Sequence, residues 1–266
     1  MPVAIITGSG NYELSGFEPE PVSVRTPFGT TTVNRGEYHG EAVLHLSRHG
    51  RGHARLSSAV NHRANIWALR ELGATAVIGC TVCGAVDPTL ELGSLVIFDD
   101  LHFIANRLGD GSLCTFFDEP GDPQRAHWIL HGGPYSQDVR AALLDAASKA
   151  GHGARDGGCY GHVDGPRFNT PAEIAQLAAC GVVAVSQTGG PETVLCGELG
   201  LPFALIGFIT DYANEVVPGE PTPVETLVKL IGASPATFAD VLRGALGTLA
   251  GSSPAAAGTV FRIGRE

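Results

Sequence analysis

Lysine is nearly missing from this chain: Lys149 and Lys229 are the only two, and the rest of its 17 basic residues are arginine. With 27 acidic residues, a formal charge of −10 and no basic run, the sequence excludes the broad positive surface that nucleic acid or an anionic membrane would need. No apolar stretch approaches the ~18 residues of a membrane span. The N-terminus shows no basic leader followed by an apolar core and cleavage site, so a cytoplasmic location is expected. The six cysteines are scattered, and Cys80 and Cys83 form the only close pair. Zinc would need a second pair or suitably placed histidines, and a redox pair would open a helix, so buried free thiols and no metal are expected. Two nucleotide fingerprints are incomplete as well. After the first apolar run, the third glycine of the dinucleotide pattern and the Gly-Lys-Ser/Thr of the ATP loop are both absent.

What the opening does contain is an apolar run, Val3 to Ile6, that breaks into Thr7-Gly8-Ser9-Gly10. Glycines after a buried strand let backbone N–H groups approach an anion, and the Ser9 hydroxyl adds a donor, but an ordinary strand-end turn reads the same way. The 266 residues, 44% of them hydrophobic, suffice for one large α/β domain spanning 1–266. Strand-like runs recur at Ala42 to Leu46, Ala74 to Gly79, Ser94 to Phe98, Val182 to Val185 and Phe203 to Ile209. Between them, Val60, Ala64, Trp67 and Ala68 share a helical face, as do Val139, Leu143, Ala146 and Ala150. Thr170-Pro171-Ala172-Glu173 predicts a capped helix reaching about Gly181, and 221–250 turns helical again. This alternation predicts a largely parallel sheet covered on both faces. Residues 106–134, rich in Gly, Asp, Pro and aromatics, read as a long ordered flap. The stretch 251–258 reads as a mobile connection to a C-terminal tail, 251–266.

Arg48-His49-Gly50-Arg51-Gly52-His53 is the one local basic site of this acidic protein. Arginine is the natural bidentate partner of phosphate. A metal reading of His49 and His53 at i, i+4 fails because Gly50 and Gly52 disfavour a helix there; a solvated surface cluster is the plain alternative. Asp211, after the run 203–209, reads by itself as a cap or turn residue.

Eight stretches, in order, resemble the methylthioadenosine phosphorylase and trimeric purine nucleoside phosphorylase family: Thr7-Gly8-Ser9-Gly10, Thr26-Pro27-Phe28-Gly29, Arg48 to His53, Asn61 to Ile66, Thr81-Val82-Cys83-Gly84-Ala85, Gly165-Pro166-Arg167-Phe168, Pro191-Glu192 and Thr210-Asp211-Tyr212. The resemblance implies a single-domain α/β/α fold with a central, largely parallel mixed sheet. It implies inorganic phosphate as co-substrate, held by Ser9, Arg48, His49, Thr81 and Thr188, with no metal or organic cofactor. It also implies a purine nucleoside lying against Val82, Cys83, Gly84, Phe168, Asn169, Gln187 and Ala213, with Phe168 stacked on the base and Asp211 protonating or sharing a proton with N7. His127 is expected over the sugar's 5′ group, and a homotrimer or dimer of trimers is expected from the family's shared sites.

Three departures bear on the substrate. Gln187-Thr188-Gly189-Gly190 puts a polar amide where the family usually has a methionine under the ribose. Ala213 replaces the second aspartate of methylthioadenosine enzymes, and Asn169 stands where 6-oxopurine enzymes have a glutamate. The family's flap segment is replaced by His102-Phe103-Ile104-Ala105-Asn106-Arg107. The expected activity is phosphorolysis of a purine nucleoside, 5′-modified in the manner of methylthioadenosine. The alternatives are a 6-oxopurine (inosine or methylthioinosine) phosphorylase, a hydrolytic nucleosidase, and an inactive nucleoside-binding homologue.

Overall fold

The computed structural model describes residues 1–118, 125–219 and 221–263. The opening apolar run is β1 (Val3–Thr7), buried along its whole length. It lies parallel between β4 (Glu41–Ser47) and β5 (Ala76–Ala85). A hairpin of β2 (Glu20–Thr26) and β3 (Gly29–Tyr38) extends this edge antiparallel to β4. The sequence reading passed over this pair because only alternate residues are apolar and half its surface faces water.

β5 is the pivot of the sheet. Its other neighbours are β12 (Phe203–Tyr212), parallel along its length, and β11 (Val182–Ser186), antiparallel at its far end only. β1 leaves β5 after Ile6 opposite Gly79, and β11 joins at Val185 opposite Gly84. The stretch Cys80–Cys83 between them has no strand on that side, so the sheet splits there. Beyond β12 stand β6 (Leu95–Ile97) and β9 (Ala154–Asp156); beyond β11 stand β10 (Cys159–His162) and β7 (Asp100–His102).

Helices cover both faces, as the alternation predicted. α1 (His62–Glu71) packs with α4 (Gly189–Glu198) on one, through Ile66, Leu69 and Leu195. α2 (Gln137–Lys149) and α5 (Val224–Leu249) cover the other through Val139, Leu143, Phe238, Val241 and Leu246. α3 (Pro171–Ala179) begins with the expected capping box of Thr170 and Glu173. α4 was not foreseen, since its Gly189-Gly190-Pro191 opening is a poor helix signal until its residues are buried. Among the described residues no helix is long and apolar enough to cross a membrane.

The stretches read as flap and tail meet in a two-stranded pair: β13 (Thr259–Arg262) runs antiparallel to β8 (Ala126–Ile129), and Trp128 Nε1–H donates to Ala257 O at 2.9 Å. The Trp128 ring also fills the space that a side chain at Gly197 would take. The flap 106–134 thus includes a strand, and its residues 119–124 lie outside the described residues.

Candidate active site

The split beside β5 opens into a cavity of about 290 Å³. That is near the lower end of pockets that enclose a small organic ligand. Ser9, Arg48, His49, Thr81, Val82, Cys83, Gly84, Phe168, Asn169, Gln187, Thr188, Asp211 and Ala213 all line it. One expected residue does not. His127 is exposed on β8 and faces a different hollow, beside Asp100, Trp128 and Glu198, because pairing with β13 fixes its strand there.

At one end the cavity gathers donors. Thr188 is the N-cap residue of α4, but its side chain makes no capping bond, so the hydroxyl is left to the cavity beside the helix N-terminus. Thr81 and Ser186 hydroxyls lie 3.1 Å apart across the split. His49 Nδ1 contacts Arg55 O at 2.9 Å, so it carries the proton and Nε2 is the bare acceptor of the neutral ring. Burial, with the Arg48 charge adding to it, lowers the His49 pKa to about 4. The ring stacks on His53 with centroids 4.1 Å apart.

Arg48 is fully buried and already engaged. Nε donates to Glu192 Oε1 at 2.6 Å, Nη2 to Glu192 Oε2 at 2.8 Å and to Ile6 O at 3.5 Å, and Nη1 to Cys80 O at 2.8 Å. Of five guanidinium N–H groups, one on Nη1 remains for the cavity. The solvated-cluster reading therefore fails for Arg48, whereas Arg51 is exposed and pairs with the exposed Glu13. The opening glycines acquire a reason that the sequence did not suggest. A Cβ on Gly8 would overlap Arg48 Nη1, and Gly10, at φ +76°, lies against Ile231 of α5 with a Cβ position only 2.7 Å from its side chain. Both glycines admit neighbouring protein groups close to the site.

At the other end stands Asp211, on β12 and not in a cap or turn, just past a register shift against β5. Oδ1 accepts from the Thr210 hydroxyl at 2.8 Å, and Oδ2 faces Gly84, whose missing Cβ would come within 3.1 Å of it. Burial raises the Asp211 pKa, partly offset by the Thr210 bond. Asn169 Nδ2 donates to Glu173 Oε2 at 3.1 Å, and Asn214 Nδ2 donates to Asn169 O at 2.5 Å. Phe168 is 63% exposed at the cavity rim, so it is no part of the core.

Residues that the sequence reading did not single out complete the walls. Leu227 and Ile231, one turn apart on α5, line the cavity together with Leu56, Ile231 lying against Gly10, and Ser57 bonds Gln187. Helical spacing put Leu227 and Ile231 on one face, but nothing local said which element that face meets.

The chain is similar to known proteins along most of its length. Residues 2–246 match the family described as Phosphorylase superfamily. A probable 6-oxopurine nucleoside phosphorylase of Thermococcus kodakarensis is 36% identical over 85% of this chain and 84% of its own. An S-methyl-5′-thioadenosine phosphorylase of Pyrobaculum aerophilum is 32% identical over 86% of this chain and 80% of its own. The solved methylthioadenosine phosphorylase of Schistosoma mansoni in complex with adenine superposes with a TM-score of 0.82 at 27% identity, over 93% of this chain and 91% of that one.

Proposed function

The chain belongs to the phosphorylase superfamily, and from that footing we propose that it cleaves the N-glycosidic bond of a purine nucleoside with inorganic phosphate, giving free base and a pentose 1-phosphate. The observation that carries this reading is one cavity with hydrogen-bond donors and a helix N-terminus at one end and, at the other, a buried carboxyl whose pKa burial raises. Phosphate lies among Ser9, Arg48, His49, Thr81 and Thr188. Nε2 of the neutral His49 ring accepts a hydrogen bond from a protonated phosphate oxygen, and the remaining Arg48 N–H donates. Phosphate attacks C1′ as the base departs, and Asp211 donates to N7 so that the purine leaves neutral. Phosphate is a co-substrate; no metal or organic cofactor has a part in the reaction. Leu56, Leu227 and Ile231, the last lying against Gly10, add an apolar lining that favours an apolar 5′ substituent over a hydroxyl.

For the base, Asp211 favours a 6-aminopurine, since a protonated carboxyl donates to N7 and accepts from N6. Asn169 and Asn214 already spend an amide N–H each, on Glu173 and on Asn169 O. The 6-oxopurine reading has its own support. Asn169 Oδ1 has no partner among the described residues and is the kind of acceptor that a 6-oxopurine N1–H needs, and the Thermococcus relative carries that name.

Base release from 5′-methylthioadenosine, adenosine, inosine and methylthioinosine, followed with and without phosphate, tests the proposal. Release is expected only with phosphate, one phosphate consumed per base. Full-rate release in phosphate-free buffer would make the protein a nucleosidase, and no release under either condition would leave a nucleoside-binding homologue.

The chain is further proposed to work as a homotrimer or dimer of trimers. Leu56 and Phe168 stand exposed at the cavity rim, and Ile129, Leu130, Phe261 and Ile263 are exposed on or beside the β8–β13 pair. Such apolar surface is commonly covered by a partner. Light scattering on the active protein is expected to give a multiple of three, and a fully active monomer would refute it.

A further inference from the structure

If phosphate enters beside Ser9, Arg48 and Thr188 and the base lies beside Asp211, the sugar sits between them, because C1′ bonds to each in turn. Gln187 reaches this middle stretch. It directly precedes Thr188 and is tied to the segment that carries Phe168. Its Nε2–H donates to Arg167 O at 3.3 Å, and since a carbonyl can only accept, this bond sets which way the amide points. Its Oε1 accepts from the Ser57 hydroxyl at 2.9 Å. Gly165 closes on the pair so tightly that a Cβ there would overlap both Gln187 Oε1 and Ser57 Oγ. The carboxamide is thus held from three directions. It has two N–H donors and an oxygen with two lone pairs, so after these bonds one donor and one acceptor site remain. A vicinal diol, in which each hydroxyl donates and accepts, is the matching group.

We infer that Gln187 is a specificity-determining residue that reads the 2′- and 3′-hydroxyls of a ribose and so separates ribonucleosides from their 2′-deoxy counterparts; this rests on the phosphorylase reading of the same site. Ser57 acts as a positioning residue that holds the amide. A buried hydrogen-bonding group left without its partner is what makes such a site reject the analogue.

The test compares kcat/KM for a ribonucleoside and its 2′-deoxy form in the unsubstituted protein, Gln187→Met and Ser57→Ala. The unsubstituted protein is expected to favour the ribonucleoside by about tenfold or more. Gln187→Met is expected to reduce that ratio about tenfold, chiefly through loss on the ribonucleoside, and Ser57→Ala to reduce it less. A residue that only clasps the two loops would, when replaced, slow both substrates alike. An unchanged ratio in Gln187→Met, or a ratio near one in the unsubstituted protein, overturns the inference. Failure of the phosphorylase reading shows separately, as no phosphate-dependent release from either nucleoside. Calorimetric binding of the same two nucleosides to the same proteins then supplies the ratio, and the same two outcomes decide.

Discussion

Alanine at Glu192 is expected to lower the unfolding free energy by about 3–5 kcal/mol and to abolish phosphorolysis. The guanidinium of Arg48 and the carboxylate of Glu192 are 1% and 2% exposed and share two bonds, so removing the acid strands a buried charge. The neighbouring His62 cannot take over the negative charge. His62, whose Nδ1 lies 3.9 Å from Glu192, is kept neutral by burial and by the nearby His162 and Arg48. The double replacement Arg48→Met with Glu192→Leu removes both charges together. It is expected to recover most of the lost stability, because a buried ion pair exchanged for apolar groups of similar volume is often close to neutral. It is expected to stay inactive. Urea denaturation and initial rates on the single and double variants separate the two effects. If the stable double variant still turned over nucleoside in a phosphate-dependent way, Arg48 would have no part in holding phosphate.

This pair also shows how far the sequence reached. Arg48 was legible as the local basic site because its residue type and the cluster around it are rare in an acidic chain. Its buried partner was not, since Glu192 stands 144 positions away and only the packing of α4 beneath β5 joins them. The predicted strands and four of the five helices emerged because their periodicity is local. The fifth, α4, opens on two glycines and a proline, and its helix depends on tertiary burial. The split in the sheet was likewise invisible: it follows from where β1 ends and β11 begins, and no single strand records it. His127 stands outside this chain's own cavity for a related reason. Sequence proximity to a motif does not reveal that β13 will hold the strand elsewhere.

At the base end, Asp211→Ala is expected to lower kcat/KM by ~10²–10⁴-fold, the usual worth of a positioned general acid. The rate should depend on pH through the same group. A carboxyl whose pKa burial has raised keeps its proton above the ordinary aspartate range, and the protonated form is the one that donates to N7. Activity is therefore present below that raised pKa and declines as pH rises through it. His49, lowered to about 4, titrates on the opposite side and does not produce this decline. Asp211→Asn should erase the alkaline limb, because an amide N–H donates at every pH but transfers no proton. The same variant bears on the base. Unsubstituted, the carboxyl pairs with both N7 and the N6 amino group of an adenine-type substrate, whereas a 6-oxopurine offers two acceptors there and leaves one unpaired, at about 1–3 kcal/mol. An asparagine amide has two N–H donors and can serve both acceptors, so the preference for adenosine-type over inosine-type substrates should narrow or invert. Profiles of kcat/KM against pH at saturating phosphate, for both substrates and both proteins, measure all of this. Inosine-type turnover tenfold above adenosine-type in the unsubstituted protein would mean that Asn169, through its unpaired Oδ1, reads N1–H and sets the preference, and that Asp211 serves N7 alone.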